Sequence, residues 1–460
     1  MLVVKTAYDQ AEIARYPFAD EAAADRMLAT AARLAKKPLP AAQRIAILEK
    51  AVELGRPRLE QYALDIAREG GKPLVDARVE VSRGLDGIVN AIETLRTESG
   101  REIPMNLDAR SSGRLAFTTR EPIGPVVAVS AFNHPFNLII HQVVPAVAVG
   151  CPVIVKPAGA TPISCHNVVN LLREAGLPEE WCQLAIVETS TATKLVTDPR
   201  VAFFSFIGSS RVGWMLRSKL APGTRCALEH GGVAPVIVAP DADLDAAIPS
   251  LVKGGYYHAG QVCVSVQRIY VHADIFETFQ TRFTEAVSKL KVGDPTSAET
   301  EVGPLIQPSE VERVDNWVQE AISQGAECAT GGKALSETTY APTVLVNPPD
   351  DATISRNEVF GPVCNLYAYS DLQDALDRAN ALDVAFQSAV FTRNIDTALA
   401  AARGLEAAAV MVNDHTAFRV DWMPFAGQRT SGHGTGGIPY TMHDMTQEKL
   451  IVFKSPALET

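Results

Sequence analysis

A chain of 460 residues is too long for one ordinary hydrophobic core, so two or three domains are expected. Its 47% hydrophobic and 21% charged residues exclude a disordered or fibrous protein. A formal net charge of −11 with no basic stripe excludes the usual electrostatic footprint of a nucleic-acid binder.

The seven cysteines, at positions 151, 165, 182, 226, 263, 328 and 364, are scattered and form no CxxC pair. That spacing suits reduced thiols rather than a disulfide framework or a zinc ribbon, and no metal site is expected. The N-terminal segment carries Asp9, Glu12 and Asp20 and no apolar leader. The longest apolar run, 143–155, is interrupted by Pro145, Gly150 and Pro152 and is too short to span a bilayer. A cytoplasmic location and no membrane partner are the expectations.

Segments 21–36 and 40–54 are rich in Ala and Leu at helical spacing. Leu85, Ile88, Val89, Ile92 and Leu95 form one apolar stripe of a further helix that also carries Arg83. The composition changes at 104–125, where Gly113, Pro122, Gly124 and Pro125 surround an exposed strand or arm at 115–119. A βαβ rhythm follows, with strands at 126–130, 152–156, 184–187 and 201–206. Thr161 and Pro162 open a helix through Leu172, as N-cap and first helical residue. A second βα region has strands at 236–238, 267–271, 343–345, 364–368, 388–391 and 409–412, with helices at 243–256 and 274–290. Strands alternating with helices imply an α/β protein with parallel sheets covered on both faces. A last strand at 449–453 has no obvious neighbour and reads as pairing with another element or subunit.

Six short motifs carry candidate chemistry. In Gly260-Gln261-Val262-Cys263 a thiol sits between a turn and a strand, where it can meet a cleft. Cysteine is the strongest side-chain nucleophile near neutral pH, although a free cysteine is more often a small buried hydrophobe. Glu229, before His230-Gly231-Gly232, reads as a general base for water or as a carboxylate before a turn. Asn133, just past a buried strand, reads as an oxyanion donor or as a turn residue. Lys156 in Lys156-Pro157-Ala158-Gly159 can meet ribose hydroxyls or a phosphate. Gly208 and Ser209 stand between a strand and a helix, where a pyrophosphate is favoured, but the GxGxxG fingerprint is absent. Glu358 and Phe360, in Glu358-Val359-Phe360-Gly361-Pro362, can hold a ribose and pack beside a nicotinamide.

In this order and spacing the six motifs resemble the aldehyde dehydrogenase superfamily, from Glu69-Gly70-Gly71-Lys72-Pro73 to the final strand. The resemblance implies a Rossmann-like NAD(P)-binding domain over 1–103 and 122–231. It implies an α/β catalytic domain over 232–435 and a β oligomerisation arm over 104–121 and 436–460, in a homodimer or homotetramer. It also implies a mechanism. Cys263 attacks the aldehyde, Asn133 and the Cys263 N–H hold the oxyanion, hydride leaves to nicotinamide, and Glu229 activates water to hydrolyse the thioester. Cofactor contacts fall to Lys156, Gly208, Ser209, Glu358 and Phe360.

Three departures from the family pattern stand out. His230 follows Glu229 where Leu is common, and it reads as a turn histidine. His258 replaces the Asn common two residues before the Gly of the cysteine loop, so no catalytic role is assigned to it. Gly159 stands where a Glu often repels a 2′-phosphate, so NAD is expected with NADP tolerated. Arg419, six residues before Phe425, occupies a tunnel position that is often apolar. A buried arginine must face an anion, either a substrate group or Asp421. Arg83 reads as a second substrate donor or a solvated helix residue, and His134 as a third donor. The segment Phe418-Arg419-Val420-Asp421-Trp422-Met423-Pro424 with Gly436-Gly437-Ile438-Pro439 is similar to the subgroup of phosphonoacetaldehyde and lactaldehyde dehydrogenases. A short, anionic, phosphonoacetaldehyde-like aldehyde is therefore expected. Lactaldehyde, succinic semialdehyde and glyceraldehyde 3-phosphate (oxidised without phosphorylation) are the alternatives. Val262 stands where phosphonate-binding members carry a further Arg, which weakens the phosphonate. Two rivals remain. A CoA-acylating enzyme would lack Glu229, and a non-catalytic binding protein would not need Asn133, Glu229 and Cys263 together.

Overall fold

The computed structural model describes residues 1–459. Among them lie two large, mainly parallel sheets and a smaller antiparallel one. The first has six strands in the order Gly432–His433, Arg225–Glu229, Phe203–Ile207, Val126–Val129, Val153–Lys156 and Cys182–Leu184. The chain starts in the middle at Val126–Val129, runs outward on one side, then returns to Phe203–Ile207 on the other. The order therefore reverses between these two strands. Ligands of open α/β sheets bind beyond the carboxyl ends of strands at such a reversal. Asn133, Gly208, Ser209 and Glu229 all lie at those carboxyl ends.

The second sheet has seven strands in the order Glu327–Thr330, Thr343–Val346, Val363–Tyr369, Val266–His272, Ala234–Val238, Gln387–Phe391 and Ala409–Val412. All its pairings are parallel except the antiparallel edge Glu327–Thr330. The third sheet pairs Thr446–Lys454 antiparallel with Arg114–Pro122, and Arg114–Pro122 with Glu102–Ile103. The terminal strand thus finds its partner within the same chain. Two strands cross the expected domain limits, since Glu102–Ile103 joins the arm and Gly432–His433 adds an antiparallel edge to the first sheet.

The apolar pattern explains the layers. Helix Asn137–Val149 is buried on every side, hence its mainly apolar sequence, in which the buried Asn137, His141 and Gln142 all find hydrogen-bond partners. Leu85, Ile88 and Ile92 of helix Leu74–Thr97 pack into the same core. The first strand-edge expectation shifts, since 184–187 is replaced by Cys182–Leu184. Thr161 precedes the helix Pro162–Glu174 as expected, but its hydroxyl caps nothing and is buried without a partner. The cap is Glu69 instead, which accepts from Ile163 N (2.8 Å), Ser164 N (2.8 Å) and the Ser164 hydroxyl. Short-range signals place a cap one residue before a helix, whereas this one arrives from 94 residues upstream.

A fully buried ion pair, Lys72–Glu80, anchors the helix behind the site. The other Glu80 oxygen accepts from Phe136 N (2.9 Å) and Asn137 N (3.1 Å) at the start of helix Asn137–Val149. Removing one member of a buried pair strands the other charge. Lys72→Met is expected to lower unfolding free energy by about 3–5 kcal/mol in urea titration, and Lys72→Met/Glu80→Gln by clearly less.

Candidate active site

The cysteine loop is built on unusual backbone. His258, Ala259 and Gly260 have φ of 51°, 53° and 69°, three consecutive left-handed residues. A Cβ at Gly260 would overlap the Gly361 carbonyl, so glycine is required there. Non-glycine residues hold such angles only where the surroundings enforce them. Gln261 does so: its buried side chain donates to His258 O (3.2 Å) and Pro304 O (3.1 Å) and accepts from Ile306 N (2.9 Å). Two further bonds tie the loop to the first sheet. Asn133 Nδ2 donates to Gln261 O (3.0 Å), and Gly232 N donates to Cys263 O (3.1 Å).

Cys263 opens into a cavity of about 540 Å³ between the two large sheets. Asn133, His134, Gly208, Ser209, Glu229, Glu358, Phe360, Arg83 and Arg419 also line it. One expected residue does not: Lys156 lies outside the wall, with Nζ donating to Pro157 O (3.0 Å). Burial, reinforced by Glu358 and Glu229 and opposed by Arg419, pushes the Cys263 thiol up to about 12. The resting thiol is therefore protonated at neutral pH.

Burial likewise raises Glu229, while Arg419 pulls it down. The carboxylate lies against Gly436, where any Cβ would overlap Oε1. That glycine forms a bridge with Phe425, whose ring lies 3.6 Å from the Arg419 guanidinium carbon.

The cofactor end of the cavity holds Glu358, pushed up to about 8 by burial against the pull of Arg313. Its Oε1 is buried without a hydrogen-bond partner, so it has an acceptor to offer a ligand hydroxyl. Phe360 (φ 47°) sets its ring edge-on to Phe132, with centroids 5.7 Å apart. His230 is a support residue, buried under Phe206 and Trp214 with Nδ1 2.8 Å from the Gly208 carbonyl. Gly208 and Ser209, the open Glu358 oxygen and the aromatic wall thus fit a dinucleotide whose reactive end meets Cys263.

The charges at the other end differ from the sequence expectation. Asp421 pairs with Arg83 (2.8 Å), not with Arg419. Asp421 also accepts from Asn137 Nδ2 (3.1 Å) and lies 2.8 Å from His141 Nε2. Although burial opposes it, His141, Arg83 and Arg419 hold Asp421 far below the usual carboxylate range. Arg83 therefore reaches the cavity wall with its charge already balanced. Arg419 has no carboxylate within ion-pair distance among the described residues. Its contacts are the Phe425 face and His141 Nδ1 (3.3 Å), and its Nε is buried unpartnered. Burial, and then Lys72, His258, Arg83 and Arg419, push His134 well below the usual histidine range, so it is a neutral donor or acceptor. Gln261, His141, Asn137 and Gly436 were not singled out from sequence as site residues; Gln261, two residues before the thiol, and Gly436 stood within noticed motifs, whereas His141 and Asn137 stood in none.

Among the described residues no cluster of metal-ligating side chains occurs, and no helix is long and apolar enough to cross a membrane. The family model described as the aldehyde dehydrogenase family matches residues 1–451. The 3-sulfolactaldehyde dehydrogenase of Priestia megaterium is 37% identical over 97% of this chain and 93% of its own length. Aldehyde dehydrogenase 21 from Physcomitrella patens, solved with the reaction product succinate, superposes with a TM-score of 0.94 at 36% identity, covering 98% of this chain and 95% of that one. Glyceraldehyde-3-phosphate dehydrogenase from Methanocaldococcus jannaschii, solved with NADP, gives a TM-score of 0.95 at 33% identity and 99% coverage of both chains. The chain belongs to the aldehyde dehydrogenase family, NAD(P)-dependent oxidoreductases of aldehydes.

Proposed function

We propose that this enzyme oxidises a short anionic aldehyde to its carboxylic acid through a thioester on Cys263. The observation that carries the reading is Arg419, a guanidinium without an ion-pair partner in the same cavity as Cys263. A buried cation with no carboxylate in direct contact is costly, and a substrate anion in contact with it lowers that cost. Sulfolactaldehyde, succinate and glyceraldehyde 3-phosphate, named for the relatives above, all carry an anionic group.

The roles follow from chemistry. The Cys263 thiol gives up its proton to a carboxylate in the cavity and attacks the aldehyde carbon. The second amide hydrogen of Asn133 and the Cys263 N–H stabilise the resulting oxyanion. A bound nicotinamide supplies the hydride acceptor. Glu229 then takes a proton from water as its oxygen attacks the thioester carbon, and the carbon–sulfur bond breaks. Gly208, Ser209, Glu358 and Phe360 orient the dinucleotide, with Lys156 turning toward a ribose. NAD is the preferred form with NADP tolerated, because Gly159 supplies neither repulsion nor attraction for a 2′-phosphate. His134 adds a neutral hydrogen-bonding group to the substrate pocket, and Arg83 acts through Asp421.

Within the small anionic class a sulfonate or carboxylate suits the single free guanidinium better than a dianionic phosphonate. Val262 supplies no further charge beside the thiol. Glu229 supports water rather than CoA as the acyl acceptor. The division into a cofactor domain (1–103 and 122–231), a catalytic domain (232–435) and an arm (104–121 and 436–460) is proposed as the assembly plan, with Glu102–Ile103 moved to the arm and Gly432–His433 to the cofactor sheet. The exposed Leu450, Val452 and Phe453 on the arm support a homodimer or homotetramer.

Cys263→Ser is expected to abolish aldehyde oxidation while NAD+ binding, followed by fluorescence quenching, survives; retained turnover would refute the mechanism. The resting thiol predicts that Cys263 alkylation by iodoacetamide, read by peptide mass spectrometry, rises about tenfold per pH unit up to at least about pH 9. A plateau near neutral pH would mean a preformed thiolate. NADH formation against 3-sulfolactaldehyde, phosphonoacetaldehyde, succinic semialdehyde, lactaldehyde, propanal and benzaldehyde tests the substrate class. Arg419→Leu is expected to lower kcat/KM for the preferred anionic aldehyde by about 100-fold and to leave propanal within about threefold. Equal losses on all substrates would make Arg419 a structural residue.

A further inference from the structure

Glu229 and Arg419 share a feature that only Glu358, at the cofactor end, shares among the charges lining the cavity. Among the described residues Glu229 makes no ion pair or side-chain hydrogen bond, and Arg419 has no carboxylate within ion-pair distance. They approach from two sides of one small structure. Arg419 stacks on the Phe425 ring, and Glu229 Oε1 rests on Gly436, which is bridged to Phe425 through both backbone hydrogen bonds (3.0 and 2.7 Å). A Cβ at position 436 would overlap Glu229 Oε1 and displace the carboxylate from its present place.

We propose that Glu229 and Arg419 serve as each other's counter-ion across the cavity, and that an anionic group on the substrate, by engaging Arg419, releases the Glu229 carboxylate to act as base. This rests on the reading of Arg419 as the substrate's anion partner. It adds that recognition and hydrolysis are coupled through one cation. A neutral acyl group leaves Arg419 holding the carboxylate, which makes Glu229 a weaker base. An anionic acyl group cancels that hold and raises the proton affinity of Glu229.

The other titratable groups facing the pair leave this reading intact. Cys263 faces it from the cysteine loop and is consumed as the thioester. Glu358 faces Cys263 from the cofactor end. Arg83 and His141 are committed to Asp421, and His134 is neutral. Each of Glu229 and Arg419 is the opposite charge that acts most strongly on the other.

The test is the pH dependence of acyl-enzyme decay, followed by rapid quench after NADH has been released, with succinic semialdehyde and with butanal. The two differ in charge and share a four-carbon chain. The acid-limb midpoint is expected about one unit or more higher for the succinyl than for the butyryl enzyme. In Arg419→Gln the two midpoints are expected to coincide, and in Arg419→Lys the difference is expected to return. Coincident midpoints in the wild-type enzyme, with kcat/KM still favouring succinic semialdehyde, would overturn the counter-ion proposal and leave the anion reading standing. No preference for the anionic aldehyde and no effect of Arg419 on it would overturn both. If Arg419→Gln does not fold, coincident midpoints in the wild-type enzyme still overturn the proposal.

Discussion

Everything at this site depends on a short left-handed stretch of backbone, His258 to Gly260, that turns the chain so that Cys263 faces the cavity. Such backbone is strained, and its surroundings must offset the cost. The buried Gln261 side chain does this from inside the catalytic half, through His258, Pro304 and Ile306. Asn133 does it from the other half, through the Gln261 carbonyl. The same bond that braces the loop also fixes the Asn133 amide beside it. The positions of the thiol loop and of the Asn133 amide are therefore one constraint, and a change to either sheet disturbs both.

The cavity charges form a second layer of the same design. Asp421 binds Arg83, His141 and Asn137, so most of the polar groups on the substrate wall neutralise one another. What remains is the Arg419 guanidinium, the Glu229 carboxylate and the thiol, with Glu358 at the cofactor end, all recessed in a space of about 540 Å³. Recessed charges act over longer distances than surface charges because little water screens them. The apolar backing of Arg419 by Phe425 strengthens this, on the wall of the same cavity.

The fold was legible where hydrophobic periodicity is strong. The helices Glu21–Leu34, Ala41–Gly55 and Leu244–Tyr256 and the central strands lie within a few residues of expectation. The N-terminal hairpin Leu2–Lys5/Glu12–Tyr16 and the helix Pro308–Ser323 were not anticipated, the first because its strands are short and mostly exposed. The site was legible where motifs sit beside strand ends: Asn133, Glu229, Cys263, Glu358 and Phe360 all meet in one cavity. It was illegible where long-range contacts decide. Asp421 lies 338 residues from Arg83, and nothing local distinguishes Arg83 or Arg419 as its partner. The Glu69 cap and the space over Gly436 are hidden for the same reason.

The central claim is that Cys263 carries the substrate as a thioester which Glu229 then hydrolyses. The most direct measurement is intact-protein mass spectrometry of Glu229→Gln, quenched after mixing with NAD+ and an anionic aldehyde. The account predicts that one equivalent of NADH forms, that an acyl group accumulates on Cys263, and that turnover then stalls. Undiminished turnover with no acyl group on Cys263 would contradict it.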